Sequence, residues 1–234
     1  MNDPASSKGT VPKAGVSATA RFYKRDYWNS ESAKFDRPWY RVQKSAQLIR
    51  KLARGRERTL LDIGCGPAAL MRLLPPGIDY YGIDIAIQNP GPNFLEADLL
   101  ESPIAFGDRR FDIVIAQGFF EYMANAQQRK LAEIAQLLHP DGTFIVTYTN
   151  FGHHRRQIFA AFSNVQPLGD FRRDLERHFT VERSFPASHN WKHSQPDRKL
   201  VQAVNMHVNA SIPLISPMLA VDYFFICSPR GSGS

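Results

Sequence analysis

The apolar positions of the chain follow two periods, one typical of helices and one typical of strands. Between residues 36 and 55 they recur every three or four positions, which predicts a helix with one buried face: Trp39, Val42, Ala46, Ile49 and Leu52. Beyond Gly55, short apolar runs predict seven strands, at about residues 59–63, 80–83, 93–95, 111–116, 143–149, 180–185 and 221–227.

Helical segments are predicted between several of these strands. A short helix over Ala68–Leu74 is expected to end at Pro75-Pro76, and Asn125 with Gln128 indicates a capping box that begins a second helix. Pro140-Asp141-Gly142 predicts a turn into the fifth strand. Two further helices are predicted, near residues 155–162 and 171–178. Strands that alternate with helices indicate an α/β fold, a doubly wound and mostly parallel sheet covered on both faces.

Two connections depart from this alternation. Only eight residues, 85–92, separate strands two and three, and two of them are prolines, so the crossover helix is expected to be absent or a single turn. Conversely, about 35 residues, 186–220, separate strands six and seven. Connections of that length are usually disordered or functional. We therefore expect a cap segment over residues 186–220, with a helical stretch near residues 197–208.

Charge and composition add limits on the class of protein. The net charge is +7, and the basic residues concentrate before residue 60 and after residue 150, on either side of an acidic middle. This pattern fits an anionic substrate, an anionic surface or nucleic acid, and equally fits solvated arms. The first 20 residues lack the apolar core of a secretory signal and predict a disordered tail, and residues 230–234 predict a second tail. Two distant cysteines favour a reduced, cytoplasmic protein.

The segment LLDIGCGPAAL, residues 60–70, predicts a strand that ends in a glycine turn suited to a nucleotide-like ligand. Gly64 begins a G-x-G-x-x-A pattern, and Asp84 lies twenty residues beyond it, at the distance of a ribose-binding acid. A NAD enzyme would fit that spacing. Asp62, however, would repel a pyrophosphate and would favour an ammonium group.

S-adenosylmethionine, which has a ribose, an adenine and a cationic amino-acid end, satisfies both acids. LLDIGCGPAAL, YYGIDIA, EADLLE, FDIVIAQGFFEYM and LLHPDGTFIVTYTN, in this order, resemble the motifs of the class I S-adenosylmethionine-dependent methyltransferases. The resemblance covers about residues 59–150. It implies the strand order 3-2-1-4-5-7-6 with strand seven antiparallel, and an adenine contact from Asp98 with Leu99 beside the ring. The cofactor-binding residues expected on these grounds are Asp62, Gly64, Cys65, Gly66, Asp84, Ile85, Asp98, Leu99, Gln117, Tyr122 and Tyr27.

Candidate catalytic side chains follow the fourth and fifth strands, because ligands of open α/β sheets bind at the carboxyl ends of the strands. His153 or His154 is the preferred general base, since imidazole titrates near neutral pH. The same histidines also fit a solvated helix start, and Glu121 fits either a base or a helix-entry charge. Tyr148 completes the catalytic candidates. From the cap segment, four side chains are also placed to reach the site: His189, Trp191, His193 and His207. Their spacing does not match a metal motif, so no metal is predicted.

The aromatic and basic run of residues 21–28 leaves three interpretations open. It is either a lid that brings Tyr23, Tyr27 or Tyr40 to the cofactor, part of the core, or a surface for single-stranded nucleic acid. The predicted organisation is a tail (1–20), a lid with the first helix (21–58), a methyltransferase domain (59–229) and a second tail (230–234).

The leading functional hypothesis is methyl transfer to an oxygen or nitrogen of a small molecule, anionic or sugar-like in character. A nucleic-acid methyltransferase that uses the basic N-terminal segment is the main alternative. A catalytically idle partner subunit and a NAD oxidoreductase are the others.

Overall fold

The computed structural model of the chain describes residues 40–88, 90–150, 166–187, 210–211, 216 and 220–231. These contain three α-helices: α1 (Tyr40–Ala53), α2 (Gln127–Leu137) and α3 (Leu168–Glu176). They also contain seven strands: β1 (Arg58–Ile63), β2 (Ile78–Asp84), β3 (Phe94–Glu96), β4 (Phe111–Gln117), β5 (Leu138–Thr149), β6 (Phe179–Pro186) and β7 (Asp222–Pro229). None of the described helices is long and apolar enough to cross a membrane.

The seven strands form one sheet in the order β3-β2-β1-β4-β5-β7-β6. The first five are parallel, and β7 runs antiparallel to both of its neighbours. The predicted fold class, strand order and antiparallel seventh strand are therefore confirmed. Because β7 is antiparallel, its first residue, Asp222, lies opposite Thr149, the last residue of β5. The carboxyl ends of β1, β2, β4 and β5 and the start of β7 thus share one edge of the sheet.

Apolar residues cover the two faces of this sheet. On one face, Ala46 and Ile49 of α1 pack with Leu60, Ile113 and other inward residues of the strands. On the opposite face, α2 and α3 bury Leu131, Ile134, Phe171 and Leu175 against the sheet. Both surfaces of the central strands are therefore dry, as expected for a parallel sheet between helices.

The connection from β1 to β2 differs from the prediction. Within residues 64–77 the chain forms turns and a single 3₁₀ turn, Met71–Leu73, so the helix expected over Ala68–Leu74 is wrong. Four residues of this connection have positive φ angles, which a right-handed helix excludes: Gly64, Gly66, Ala68 and Gly77. The connection from β2 to β3 has no helix among its described residues, as predicted.

The expected turn at Pro140-Asp141-Gly142 and the capping box are also corrected. β5 begins at Leu138, and those three residues form a bulge within the strand, because the pairing shifts from Phe111–Leu138 to Ile113–Thr143. A side chain at Gly142 would lie 2.9 Å from the His139 carbonyl oxygen, which explains the glycine. α2 follows Ala126 without a side-chain cap, since Asn125 belongs to the preceding 3₁₀ turn, Ala124–Ala126.

The ends of the cap segment meet at this edge of the sheet. The Ala187 N–H donates to the Asp222 carbonyl oxygen over 2.7 Å, and Ala187 and Ala220 are both buried. The cap itself between residues 188 and 209, the predicted helix near residues 155–162 and the N-terminal segment before residue 40 lie outside the described residues. The domain boundaries that depend on them stay predictions.

Candidate cofactor and acceptor site

The glycine turn folds back onto the end of β2. Gly64 and Gly66 have φ angles of 73° and 51°, which glycine adopts without strain. The Gly64 N–H donates to the Ile83 carbonyl over 2.8 Å, and the Gly66 N–H donates to Asp84 Oδ2 over 2.8 Å. The carboxylate at the end of β2 therefore holds the turn after β1 in place.

Asp84 is 7% exposed, and its carboxylate accepts from the Gly66 N–H, from the Ala86 N–H at Oδ1 over 3.2 Å, and also interacts with the Ile85 N–H. Burial raises the pKa of Asp84 to about 6, against the lowering effect of these hydrogen bonds. A carboxylate has about four acceptor positions, so acceptor capacity remains for a ribose hydroxyl. The predicted role of Asp84 is compatible with this geometry.

Asp62 lies deeper, at 2% exposure, beneath the same turn. The Tyr80 hydroxyl donates to its Oδ2 over 2.7 Å. The pKa of Asp62 is raised to about 7, mainly by burial, and the neighbouring Asp84 contributes to this increase. Cys65 is buried beside it, and burial raises the pKa of its thiol well above the ordinary value. The sequence placed Tyr80 in a strand but gave no sign of this contact.

Asp98, the predicted adenine contact, organises a turn. Its Oδ1 accepts from the Leu100 N–H over 3.0 Å, and its carbonyl accepts from the Ser102 N–H over 2.7 Å. Leu99 is buried and Ile85 is half-buried. Asp98 thus has a structural role in the turn, and its contact with adenine stays a prediction.

The loop after β4 lies against the glycine turn. A side chain built on Gly64 would lie 3.3 Å from Phe119 Cδ2, so the two loops are in contact. Gln117 Oε1 accepts from the Ser45 hydroxyl of α1 over 2.9 Å. Tyr122 is half-buried and packs against the core. The contact between Phe119 and Gly64 brings the loop after β4, with Gln117 and Tyr122, to the predicted cofactor site.

Beyond Phe119, five residues form a polar cluster that we call the acceptor edge: Arg41, Gly118, Glu121, Thr149 and Asp222. Glu121 is 5% exposed, and its Oε1 accepts from the Thr149 N–H over 2.8 Å. The Thr149 hydroxyl lies 2.9 Å from that oxygen and 3.0 Å from Asp222 Oδ1. Burial raises the pKa of Glu121.

Arg41 closes the acceptor edge from α1. Its Nη1 lies 3.5 Å from Asp222 Oδ2, and its Nη2 would lie 3.0 Å from a side chain on Gly118. A larger residue at Gly118 would therefore displace the guanidinium. Arg41, Thr149 and Asp222 were not predicted as site residues, because nothing in the order of residues pairs positions 41 and 222.

The structure contradicts a catalytic role for Tyr148. Its side chain is fully buried and stacks on Phe171 with ring centroids 4.0 Å apart, and its hydroxyl accepts from the Gln166 N–H. Because it faces α3 within the core, Tyr148 is a packing residue. His153, His154 and Tyr27 lie outside the described residues, as do the four side chains of the cap segment. Across the part of the chain that the structure describes, no cluster of His, Cys, Asp and Glu could hold a metal ion.

Ala68 has a φ angle of 53°, in the left-handed region that costs a residue with a side chain about 1–2 kcal/mol. Ala68→Gly removes this strain, whereas Ala69→Gly, at a residue without a positive φ, removes none. Both variants lose one buried methyl group and gain freedom in the unfolded chain. We expect Ala68→Gly to be about 1–2 kcal/mol less destabilising than Ala69→Gly in urea unfolding. Equal losses of unfolding free energy in the two variants would show that Ala68 is not strained.

Comparison with known protein families agrees with this geometry. Residues 61–146, from β1 to β5, match the family model described as Methyltransferase domain. Residues 61–146 thus resemble a methyltransferase domain, and the sheet has the strand order that the resemblance implied for the class I S-adenosylmethionine-dependent methyltransferases. The resemblance seen in the sequence is therefore confirmed. No curated protein sequence matches the chain significantly.

Several solved structures share the fold of this chain. A chain from the complex between the Haloferax volcanii Trm112 methyltransferase activator and a methyltransferase is 19% identical, with a TM-score of 0.61, 90% of this chain covered and 99% of that chain. A TehB-like methyltransferase from Corynebacterium glutamicum is 19% identical (TM-score 0.54, coverage 91% and 99%). The CcbJ methyltransferase from Streptomyces caelestis is 11% identical (TM-score 0.60, coverage 84% and 92%). At these identities the similarity concerns the fold.

Proposed function

We propose that this protein binds S-adenosylmethionine and transfers its methyl group to a nitrogen or oxygen of a small-molecule acceptor. The observation that carries the proposal is the buried Asp84 carboxylate, which joins the end of β2 to the glycine turn after β1. That junction lies at the carboxyl ends of two adjacent parallel strands, where open α/β sheets bind nucleotide-like ligands.

The residues at this edge fit the parts of the cofactor. Asp84 would accept from the ribose hydroxyls, and Asp98 with Leu99 would border the adenine. Asp62 would favour the cationic amino-acid end, because a carboxylate whose charge is opposed by burial gains most from a nearby cation. When bound, the cofactor supplies a methyl group already activated by its sulfonium. The protein has to align the acceptor, exclude water and accept a proton.

The nature of the acceptor is the finer part of the proposal. The acceptor edge carries two carboxylates, Glu121 and Asp222, and one guanidinium, Arg41. This balance gives no support to the anionic acceptor that the overall charge of the chain suggested. A neutral or cationic small molecule fits the described residues better.

The proposal is tested by calorimetric titration of the purified protein with S-adenosylmethionine, S-adenosylhomocysteine and NAD. We expect the first two to bind and NAD to give no heat of binding. Binding of NAD alone, or of none of the three, would overturn the proposal. If S-adenosylmethionine binds, the methyl acceptor is the next question. Small amines are the first compounds to test as acceptors, and a nucleic-acid substrate is tested in parallel as the alternative.

A further inference from the structure

Glu121 holds one carboxylate oxygen ready for a ligand. Its Oε1 accepts from the backbone and hydroxyl of Thr149, whereas its Oε2 is buried and has no hydrogen-bond partner. A buried carboxylate oxygen without a partner costs free energy. A bound group that donates a hydrogen bond would remove this cost.

The location of Glu121 connects this oxygen with the cofactor site. Glu121 is two residues beyond Phe119, whose ring contacts the glycine turn. It also lies between the ends of β4 and β5, where Thr149 holds it. The atom that a methyl group is transferred to has to lie at this edge, next to the amino-acid end of the cofactor.

The charges at the acceptor edge favour a ligand whose hydrogen-bond donor is a cation. Asp222 interacts with Arg41 and with the Thr149 hydroxyl, and the charge of Arg41 also acts on Glu121, so one guanidinium is shared by two carboxylates. A single hydroxyl proton cannot serve both Glu121 and Asp222 at full strength. The cluster therefore has an excess of negative charge in a poorly hydrated place, which an ammonium group would neutralise.

We propose that Glu121 binds the amino group of an amine acceptor through Oε2 and takes its proton before methyl transfer, an inference that rests on the proposed function. An ammonium group with an ordinary pKa of about 10 is a feasible target for a buried carboxylate, unlike an alcohol, whose proton is far less acidic. Glu121 is then a catalytic residue, and Arg41, Thr149 and Asp222 are positioning residues.

The step balances as follows for a primary amine. The ammonium N–H bond breaks, and its proton moves to Glu121 Oε2, which leaves a neutral amine with a lone pair. The lone pair forms a bond to the methyl carbon of S-adenosylmethionine while the carbon–sulfur bond breaks, and that electron pair stays on sulfur. The products are the methylated ammonium, S-adenosylhomocysteine and a protonated Glu121, which returns its proton to solvent.

Sinefungin provides a probe that needs no knowledge of the acceptor. In this analogue of S-adenosylmethionine an amino group, borne on carbon, stands where the transferred methyl group would be. If Glu121 Oε2 faces that position, the ammonium of sinefungin donates to it, and S-adenosylhomocysteine has no equivalent group. We expect the wild-type protein to bind sinefungin at least about 10-fold more tightly than S-adenosylhomocysteine at pH 7.5.

Glu121→Gln keeps an oxygen for the Thr149 N–H and replaces Oε2 by an amide that cannot accept. The preference for sinefungin should fall to about 1-fold in this variant, while the affinity for S-adenosylhomocysteine stays within about 3-fold of wild type. Glu57→Gln is the matched control, because it makes the same change at an exposed glutamate directly before β1, at the opposite end of the sheet from the acceptor edge, and it should keep the preference.

The outcomes separate the inference from the proposed function. Binding of S-adenosylhomocysteine without a wild-type preference for sinefungin would overturn the role of Glu121 and leave the cofactor proposal standing, even if Glu121→Gln fails to fold. A folded Glu121→Gln protein that still prefers sinefungin over S-adenosylhomocysteine would also overturn the role of Glu121 and leave the cofactor proposal standing. Failure of both compounds to bind wild type would overturn both proposals.

Discussion

Asparagine in place of Asp84 is expected to weaken the binding of S-adenosylhomocysteine by at least about 100-fold, or about 2.7 kcal/mol. Asp84 accepts from Gly66 with one oxygen and from Ala86 with the other. Asparagine has a single acceptor oxygen, so its amide nitrogen would face one of these N–H groups and displace the glycine turn. The variant also loses the charge that we expect to bind the ribose hydroxyls. Calorimetric titration at pH 7.5 measures the effect.

Asp79→Asn is the control for this prediction. Asp79 lies on the same strand, is exposed, and accepts from Tyr81 and Asn93 at the opposite end of β2 from the glycine turn. It should bind S-adenosylhomocysteine as the wild type does. An Asp84→Asn protein that remains folded and binds within about 3-fold of wild type would contradict the assigned role of Asp84.

The sequence predicted the sheet well, because burial on both faces makes each central strand an apolar run. All seven strands lie where those runs predicted them, with ends shifted by one or two residues except at the start of β5. There, Pro140-Asp141-Gly142 has the composition of a turn, yet the chain accommodates it as a bulge opposite Phe111. Local composition cannot distinguish the two, since a neighbouring strand supplies the pairing.

The helices were predicted less well, for local reasons. The apolar residues after the glycine turn have helical spacing, but the left-handed Ala68 and the pair Pro75-Pro76 leave room only for a 3₁₀ turn. The supposed capping box failed because Asn125 already belongs to another 3₁₀ turn.

The site shows the same division between local and distant information. Asp62, Gly64, Gly66 and Asp84 were predicted from motifs, and the structure brings them together. Tyr80, Arg41 and Asp222 were missed, because their contacts depend on strand register and on a helix that packs across the sheet. Tyr148 was misassigned for a related reason, since side chains alternate between faces along β5 and this one faces the core.

Asp62 is expected to make the stability of the ligand-free protein fall as the pH rises from about 4 to 7. The unfolded chain releases the Asp62 proton near pH 4, whereas burial raises the pKa of Asp62 in the folded protein to about 7. Between these values the folded protein holds the extra proton, so each increase in pH favours unfolding. A gap of about 3 pKa units corresponds to at most about 4 kcal/mol. Asp84, with a pKa of about 6, acts in the same direction below pH 6.

Asp62→Asn isolates this effect, because asparagine can still accept from the Tyr80 hydroxyl and does not titrate. Urea unfolding at pH 5, 6, 7 and 8 should show a fall in the wild-type free energy of unfolding between pH 6 and 7 that the variant lacks. Burial lowers the pKa of His178, which opposes the trend in both proteins and cancels in the difference. Parallel curves for the two proteins would show that Asp62 is ionised in the ligand-free protein and would contradict its raised pKa.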